Sequence, residues 1–543
     1  MKKISIILSL LVIAIGSIIL KLYTVDFSIP AHYDDLRFIL DAIQYNQGDF
    51  FLSQKKHPGW PLVLAPFISM IQSNNFLDYS NLARVLTLCI STISILPMYL
   101  LSRKFFDEKF SIVAASLFAF EPHLNYNAGA ALSEPLLILV FILTVLCILN
   151  AKSKFHYLAF IFAGFCWWIR LEVIFPIIAV FIIYFLIYRK TSNFNKNLVL
   201  CSILLIIVVL PLFIQRDLQF EDPFYVWYSQ TIFSDSYGEM LVHSEDAGVS
   251  DLVKNYGASG LIDRVAQGFV NLFTQLIQIS YPYLIILLPF GVLFSLRPIG
   301  HKIKNIKANW ITIITSIAIL IIPFAIIDER RYLFPLFPFF IILATIPIYR
   351  VVTFGLSVFG FNDRQRSNFL IIVVILVLFL SILFTTGIAG FGYGQPNYVL
   401  EKERMQFTKY LVDNYDGGML RDAETVDYLS VISLTSGSDS DFKEFKSPRG
   451  KDPFVVNYKP GDVVSIGVIG KNLPDLIINA ESRNIKYIGI VESGSYFFPF
   501  LDDIYHNEKK YPFLKKIMDS TQMDYSELKM KIFEIDYEVF KSP

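Results

Sequence analysis

Residues 2–21 read KKISIILSLLVIAIGSIILK: two lysines, an apolar run from Ile4 to Leu20 without a charge, then Lys21. A run close to the ~20 residues that cross a hydrocarbon core reads as a membrane helix. Its basic flank would also suit a secretion signal, but the run ends at a lysine rather than in a polar, small-residue cleavage region, so we read it as an uncleaved first span. The same texture recurs outward from it, at 134–149, 197–214, 310–327 and 369–388. The chain of 543 residues is 54% hydrophobic and 17% charged, which leaves too little polar surface to dissolve it as a globule. A helix satisfies its own backbone groups in lipid, so each run is read as helical.

Spans are expected at about 4–22, 82–102, 109–121, 129–150, 155–170, 172–188, 197–214, 268–296, 309–327, 332–349 and 369–390, eleven in all. The fold class is thus an α-helical polytopic membrane protein, with 1–390 as the membrane domain and 391–543 as a small soluble α/β domain. With the N-terminus in the cytoplasm, the inner loops collect Arg103, Lys104, Lys109, Lys152, Lys154, Arg189, Lys190, Lys196, Arg297, Lys302, Lys304, Lys307, Arg350, Arg364 and Arg366, as the positive-inside rule requires. An odd count then puts loops 23–80 and 215–267, the turns near 122–128 and 328–331, and the C-terminal domain outside the cytoplasm, in a multi-pass protein of the cell membrane.

From residue 391 onward there are 19 Lys plus Arg against 24 Asp plus Glu, a balance that excludes a nucleic-acid binder. Strands are expected at Asp462 to Ile469 and Lys486 to Val491, helices at 402–415 and 474–484, and turns at Gly417-Gly418 and Lys459-Pro460-Gly461-Asp462. No Walker-type or Gly-x-Gly-x-x-Gly loop occurs there. Cys89, Cys147, Cys166 and Cys201 all fall in apolar runs, where a thiol packs as a small hydrophobe.

The first outer loop carries the densest chemistry. Asp34 and Asp35 form an acidic pair just beyond the first span, where partial burial and a like neighbour raise a carboxylate pKa and suit it to general-base work. An ordinary solvated loop is the plain alternative for that pair alone. Other polar residues gather on the same face: His57-Pro58-Gly59, Asn81 and Arg84, Ser133-Glu134-Pro135, Arg170-Leu171-Glu172, and Asp328-Glu329-Arg330-Arg331-Tyr332. Charges at the edge of membrane segments are costly and tend to face cavities, so their convergence marks a site. The segment 61–72 is apolar and short enough to lie along the interface as a lid.

This ordered set resembles the GT-C glycosyltransferases over roughly residues 1–390, and within them the protein mannosyltransferase and aminoarabinose transferase group with its RgtA/B/C/D-like relatives. That family carries Asp-Glu where this chain has Asp34-Asp35, and often His-Pro-Pro where it has His57-Pro58-Gly59. The oligosaccharyltransferase branch is disfavoured, because its Trp-Trp-Asp signature belongs to an outer domain and Trp167-Trp168 is followed by Ile169-Arg170 within the membrane.

The resemblance implies a hexosyltransferase that moves a sugar from a polyprenyl- or dolichyl-phosphate donor to a lipid, glycan or protein acceptor at the outer face, with inversion. Asp34, with Asp35 beside it, would be catalytic. His57, Arg84, Glu134, Arg170, Glu172, Arg330, Arg331 and Tyr332 would bind substrate, the arginines at the leaving phosphate and the glutamates orienting them or meeting sugar hydroxyls. A divalent metal could sit on His32, His57 and the carboxylates, but no ligand spacing demands one. The same cavity would serve a flippase or transporter of lipid-linked sugars, and a noncatalytic assembly protein could use the tail as a receptor. The one-sided gathering of charge fits a transferase better than a transporter, which places ionisable groups near the midplane.

Overall fold

The computed structural model describes residues 3–542, apart from 32–33, 53–55, 72, 74, 171–173, 226–248, 297–302, 328, 389–391, 393–397, 421–462, 467–469, 471 and 496–497. The chain opens with α1 (Lys3–Tyr23), followed by two short helices of the first loop, α2 (Asp34–Asn46) and α3 (Gly59–Ile68). α4 (Phe76–Ile93) runs on into α5 (Ile95–Ser102). α4 starts earlier than expected because the Asn75 side chain caps it, accepting from the Leu77 N–H. Then come α6 (Glu108–Ala119), α7 (Pro122–Ala128), α8 (Glu134–Ile148), α9 (Ser153–Ile169), α10 (Ile174–Tyr188) and α11 (Phe194–Phe220). The second half holds α12 (Val249–Ile279), α13 (Leu284–Leu296), α14 (Ile306–Phe324), a 3-10 turn Arg330–Leu336 leading into α15 (Phe337–Arg350), and α16 (Asp363–Thr386).

Helix occupies each of the eleven expected segments, but length separates them. Among the described residues six helices are long and apolar enough to cross a membrane: Ile4–Tyr23, Phe76–Ser102, Phe194–Phe220, Ile306–Phe324, Arg330–Val358 and Asp363–Thr386. A seventh exists only if Ser259–Ile279 and Leu284–Leu296, which meet at 114°, count together. The expected single helix 268–296 is therefore broken: Pro282 lacks the N–H that would continue the ladder, and the chain turns through 280–283. α8 and α10 are shorter apolar helices. α8 starts at Glu134 rather than 129 because Gly129–Ala131 turn, with Ala131 at φ 56°.

α8 sits inside the protein, whereas α10 leaves Phe185, Leu186 and Ile187 exposed. Leu137, Ile138, Phe141, Ile142, Val145 and Ile148 of α8 are all buried in one apolar core shared with α6, α9, α10 and α15. Two glycines permit close helix crossings: a Cβ on Gly268 would stand 2.1 Å from the Ile321 carbonyl oxygen, and one on Gly291 would stand 2.2 Å from that of Leu343. A second core is formed by Phe38, Ile39 and Ile43 of α2, Trp60, Leu64 and Ile68 of α3, and Phe76, Tyr79 and Ala83 of α4. The segment expected as an interfacial lid is in fact α3, whose Trp60 is fully buried and donates from its ring N–H to the Ala131 carbonyl at 2.9 Å.

The soluble unit consists of α17 (Tyr398–Asn414), β1 (Gly417–Leu420), β2 (Val463–Ile466), α18 (Leu473–Ser482), β3 (Ile485–Val491), β4 (Leu514–Asp519) and β5 (Met530–Ile535). The sheet order is β2-β1-β3-β5-β4, with β2, β1 and β3 parallel and the last two pairings antiparallel. Gly417-Gly418, expected as a turn, instead begins β1: Gly417 takes φ 109° as the chain leaves α17 and enters the sheet directly. The expected turn at 459–462 lies outside the described residues.

α17 is bound to the sheet by one carboxylate. Glu403 accepts the N–H groups of Ser526, Glu527 and Leu528 at 2.7, 2.9 and 2.8 Å, and the Ser526 hydroxyl at 2.9 Å. Burial pushes its pKa up, but the donors outweigh burial and hold it below the usual value. A depressed folded pKa stabilises the fold above the unfolded pKa, and that stability is lost as pH falls through the folded value. Glu403→Gln should lower the melting temperature of the detergent-solubilised protein by the equivalent of about 1–3 kcal/mol near neutrality. The gap to wild type should shrink as the pH is taken below about 4.

Candidate active site

Ser133-Glu134-Pro135 becomes the start of α8, with Ser133 at the cap, Glu134 first and Pro135 in the turn where its missing N–H does no harm. A carboxylate there is favoured by the helix dipole. Glu134 is 1% exposed, and its Oε1 meets Arg170 Nη1 at 2.5 Å and Arg331 Nη1 at 3.9 Å. Its Oε2 is buried without a hydrogen-bond partner. Arg170 ends α9, and its guanidinium carbon lies 5.2 Å from the centre of the Tyr332 ring, a cation–π contact. Arg331 turns its Nε to Glu329 Oε1 at 3.2 Å. Glu134, Arg170, Arg331 and Tyr332, far apart in sequence, thus form one cluster.

Arg330, next in sequence to Arg331, acts electrostatically on His123 and Tyr126 of α7. His123 is buried, with Nε2 3.2 Å from the Tyr281 carbonyl oxygen at the break between α12 and α13. Burial first, and then Arg330, push its pKa down to about 3, so the ring is neutral. Glu121 caps α7, with Oε2 accepting the Leu124 N–H at 2.8 Å and Oε1 buried and unpartnered.

Arg84 is used differently from the expectation. It is buried, and Nη1 donates to the carbonyls of Asp26 and Ile29 at 2.8 and 2.7 Å, pinning the start of the first outer loop to α4. Asn81 donates to the Phe27 carbonyl in the same stretch. Asp26 in turn pairs with Lys402 of α17 at 3.2 Å, joining the soluble unit to this loop.

His57 has both ring nitrogens engaged. Nδ1 lies 2.9 Å from the Trp167 carbonyl oxygen and Nε2 lies 3.3 Å from Arg216 Nη2. Arginine is donor only, so Nε2 accepts and Nδ1 carries the proton given to Trp167. Burial and then the positive charge of Arg216 drive the pKa well below the usual histidine value. The ring therefore has no nitrogen left for a substrate or a metal. Gln219, one turn along α11 from Arg216, clamps Leu52: its side-chain oxygen accepts the Leu52 N–H at 2.7 Å and its amide donates to the Leu52 carbonyl at 2.5 Å.

Gly59 accounts for the departure from His-Pro-Pro. A Cβ there would stand 2.6 Å from the Trp168 carbonyl oxygen and 2.8 Å from Ile169 Cα, so the first turn of α3 lies directly on the backbone of α9. Trp168 itself donates to the Val208 carbonyl at 2.8 Å, joining α9 to α11.

α2 begins at Asp34, which brings the acidic pair to a helix N-terminus. The side chains of Asp34 and Asp35, and all of His32, Glu172 and Asp328, lie outside the described residues. Among the described residues no group of three or more His, Cys, Asp and Glu is placed to hold a metal. The reading from sequence did not single out Glu121, His123, Arg216 or Gln219. Arg216 and Gln219 follow the apolar run 197–214 immediately, and polar residues at a helix mouth were the available signal.

The fold is shared with solved membrane proteins. The Archaeoglobus fulgidus oligosaccharyltransferase in complex with Zn and sulfate superposes with a TM-score of 0.58 at 13% identity, over 89% of this chain and 68% of that one. ArnT from Cupriavidus metallidurans bound to undecaprenyl phosphate gives 0.54 at 11% identity over 100% of both chains. At such identities the likeness establishes the shared architecture alone, and it is the architecture that the resemblance read from the sequence implies. It includes the branch disfavoured on the Trp167-Trp168 pair, and the fold does not separate the two. No protein-family model matches the sequence, and no curated protein matches it significantly.

Two substitutions test the geometry. Glu134→Ala should lower stability by about 2–4 kcal/mol by leaving two guanidinium groups without their shared counter-charge, and its effect should be non-additive with Arg170→Gln in a double-mutant cycle of melting temperatures. Gly59→Ala should destabilise by about 1–3 kcal/mol, as overpacking does, because the atoms it meets are backbone. An unchanged melting temperature would mean that α3 does not rest on α9 as described.

Proposed function

We propose that the chain is a membrane glycosyltransferase that takes a sugar from a polyprenyl- or dolichyl-phosphate carrier and places it, inverted, on an acceptor hydroxyl at the outer face. The observation that carries this reading is the buried Glu134 carboxylate gripping Arg170 and Arg331, with Arg330 adjacent in sequence. Arg170 and Arg331 bring guanidinium N–H donors together at one end of the bundle, which suits an anionic headgroup whose lipid tail stays in the membrane. That ArnT is bound to undecaprenyl phosphate and has the same architecture supports a carrier of this kind. The orientation proposed here puts this end of the bundle outside, with the eleven helical segments counted as spans and the soluble unit from 391 beside the site.

In the proposed step the acceptor oxygen attacks the anomeric carbon as the bond from that carbon to the phosphate oxygen breaks. Asp34 takes the acceptor proton, and the phosphate leaves on its lipid with one more negative charge. Arg170 and Arg331 offer N–H groups where that charge develops, each donor being worth about 10²–10³ in rate when well placed. Tyr332 fixes the plane of Arg170. Asp35 and Glu172 are proposed as neighbours of the base and of the sugar.

Transfer from a radiolabelled polyprenyl-phosphate sugar should fall about 10²–10⁴-fold in Asp34→Asn membranes while donor binding persists. Equal transfer by both proteins would remove Asp34 as the base. Absence of transfer by wild type, with the labelled lipid still crossing the bilayer, would favour a flippase.

A further inference from the structure

Arg216 is the arginine of the outer face whose surroundings the proposed step leaves unexplained. It sits in the last two turns of α11, on the side shared with Leu212 and Phe220, four residues before and after it. Those two residues, with Leu52 and Tyr225, make a small apolar cluster against which Trp167 and Trp168 pack. Arg216 is only 6% exposed. Nη2 is held by His57, and Nη1 is buried without a hydrogen-bond partner. Asp222 acts on it through space, and among the described residues no carboxylate makes an ion pair with it.

That arrangement is expensive for a structural residue. A guanidinium is always charged, and a buried charge lacking both a counter-ion and part of its hydrogen bonding is strongly unfavourable. Arg84 meets two carbonyls, and Arg170 and Arg331 meet Glu134, whereas Arg216 meets a neutral imidazole that can orient it but cannot neutralise it. The imidazole is itself fixed by the Trp167 carbonyl, so α9 sets the ring and the ring sets the guanidinium. Arg170, at the end of the same α9, also acts electrostatically on His57, which places both arginines around one histidine.

We infer that Arg216 is a further binding residue of the site, that its Nη1 contacts an anionic phosphoryl oxygen, and that His57 is the positioning residue that aims it. The inference rests on the proposed lipid-phosphate reading for the source of that oxygen, but not for the presence of an anion. The acidic ligand supplies the paired counter-charge that Arg216 lacks among the described residues, and the neutral His57 leaves that charge to the ligand.

The test measures binding of undecaprenyl phosphate and, separately, of inorganic phosphate to the purified full-length protein in nanodiscs, for wild type, Arg216→Gln, Arg216→Lys, His57→Ala and His57→Gln, with melting temperatures alongside. Arg216→Gln should weaken undecaprenyl phosphate by about tenfold or more, Arg216→Lys by less, and His57→Ala by an amount that does not add to that of Arg216→Gln. His57→Gln, which can still accept from Arg216 and donate to Trp167, should recover most of the loss. Wild-type affinity in both Arg216 variants would overturn the inference and leave the proposed function standing. Arg216-dependent binding of inorganic phosphate with no binding of the lipid would keep the anion contact and sink the lipid-phosphate reading. Binding of neither probe by wild type would overturn both, and a loss in His57→Ala that simply adds to that of Arg216→Gln would remove His57 from its positioning role.

Discussion

A single buried carboxylate at the N-terminus of α8 joins three parts of the chain that also share its apolar core. Glu134 stands where the dipole of α8 favours negative charge, and from there it attracts the end of α9 through Arg170 and the 3-10 turn before α15 through Arg331. Two guanidinium groups at that separation repel each other, and the carboxylate between them turns the repulsion into a clamp. Because the pairing is drawn from water, its strength depends on the packing that keeps water out, and that packing comes from the apolar core around α8.

The first outer loop is held by a separate set of contacts that meet the backbone rather than side chains. Arg84 grips two carbonyls at its start, Gln219 grips residue 52, His57 reaches the Trp167 carbonyl, and Gly59 lies on the backbone of α9. Main-chain anchoring fixes where α2 begins with little dependence on the side chains of the loop itself. The described contacts that hold this loop thus come from α4, α9 and α11.

Much of this was legible in the sequence, and the reasons are physical. Charges beside apolar runs are too costly to be accidental, so Glu134, Arg170, Arg331 and Tyr332 stood out, and the structure groups them. What those residues touch was less legible: Arg84 and His57 look like ligand-binding residues, but their contacts are to carbonyls and to another arginine. Hydrogen-bond partners far away in sequence leave no periodic trace. The break at 280–283 was hidden because apolar residues continue on both sides of Pro282. β4 and β5 escaped notice because Leu514–Asp519 and Met530–Ile535 mix lysines and acids with apolar residues, and their buried faces emerge only when the two pair with each other and with β3.

The ion pair between Asp26 and Lys402 is modest in energy, as partly exposed pairs are. Its meaning lies in the order of synthesis. Asp26 follows α1, whereas Lys402 is made after α1 to α16. The loop after α1 is therefore uncovered on that side while α2 to α16 are made, and α17 supplies the partner afterwards. Residue 26 waits for this partner until residue 402 has been made, and a chain cut short within the bundle never gains it.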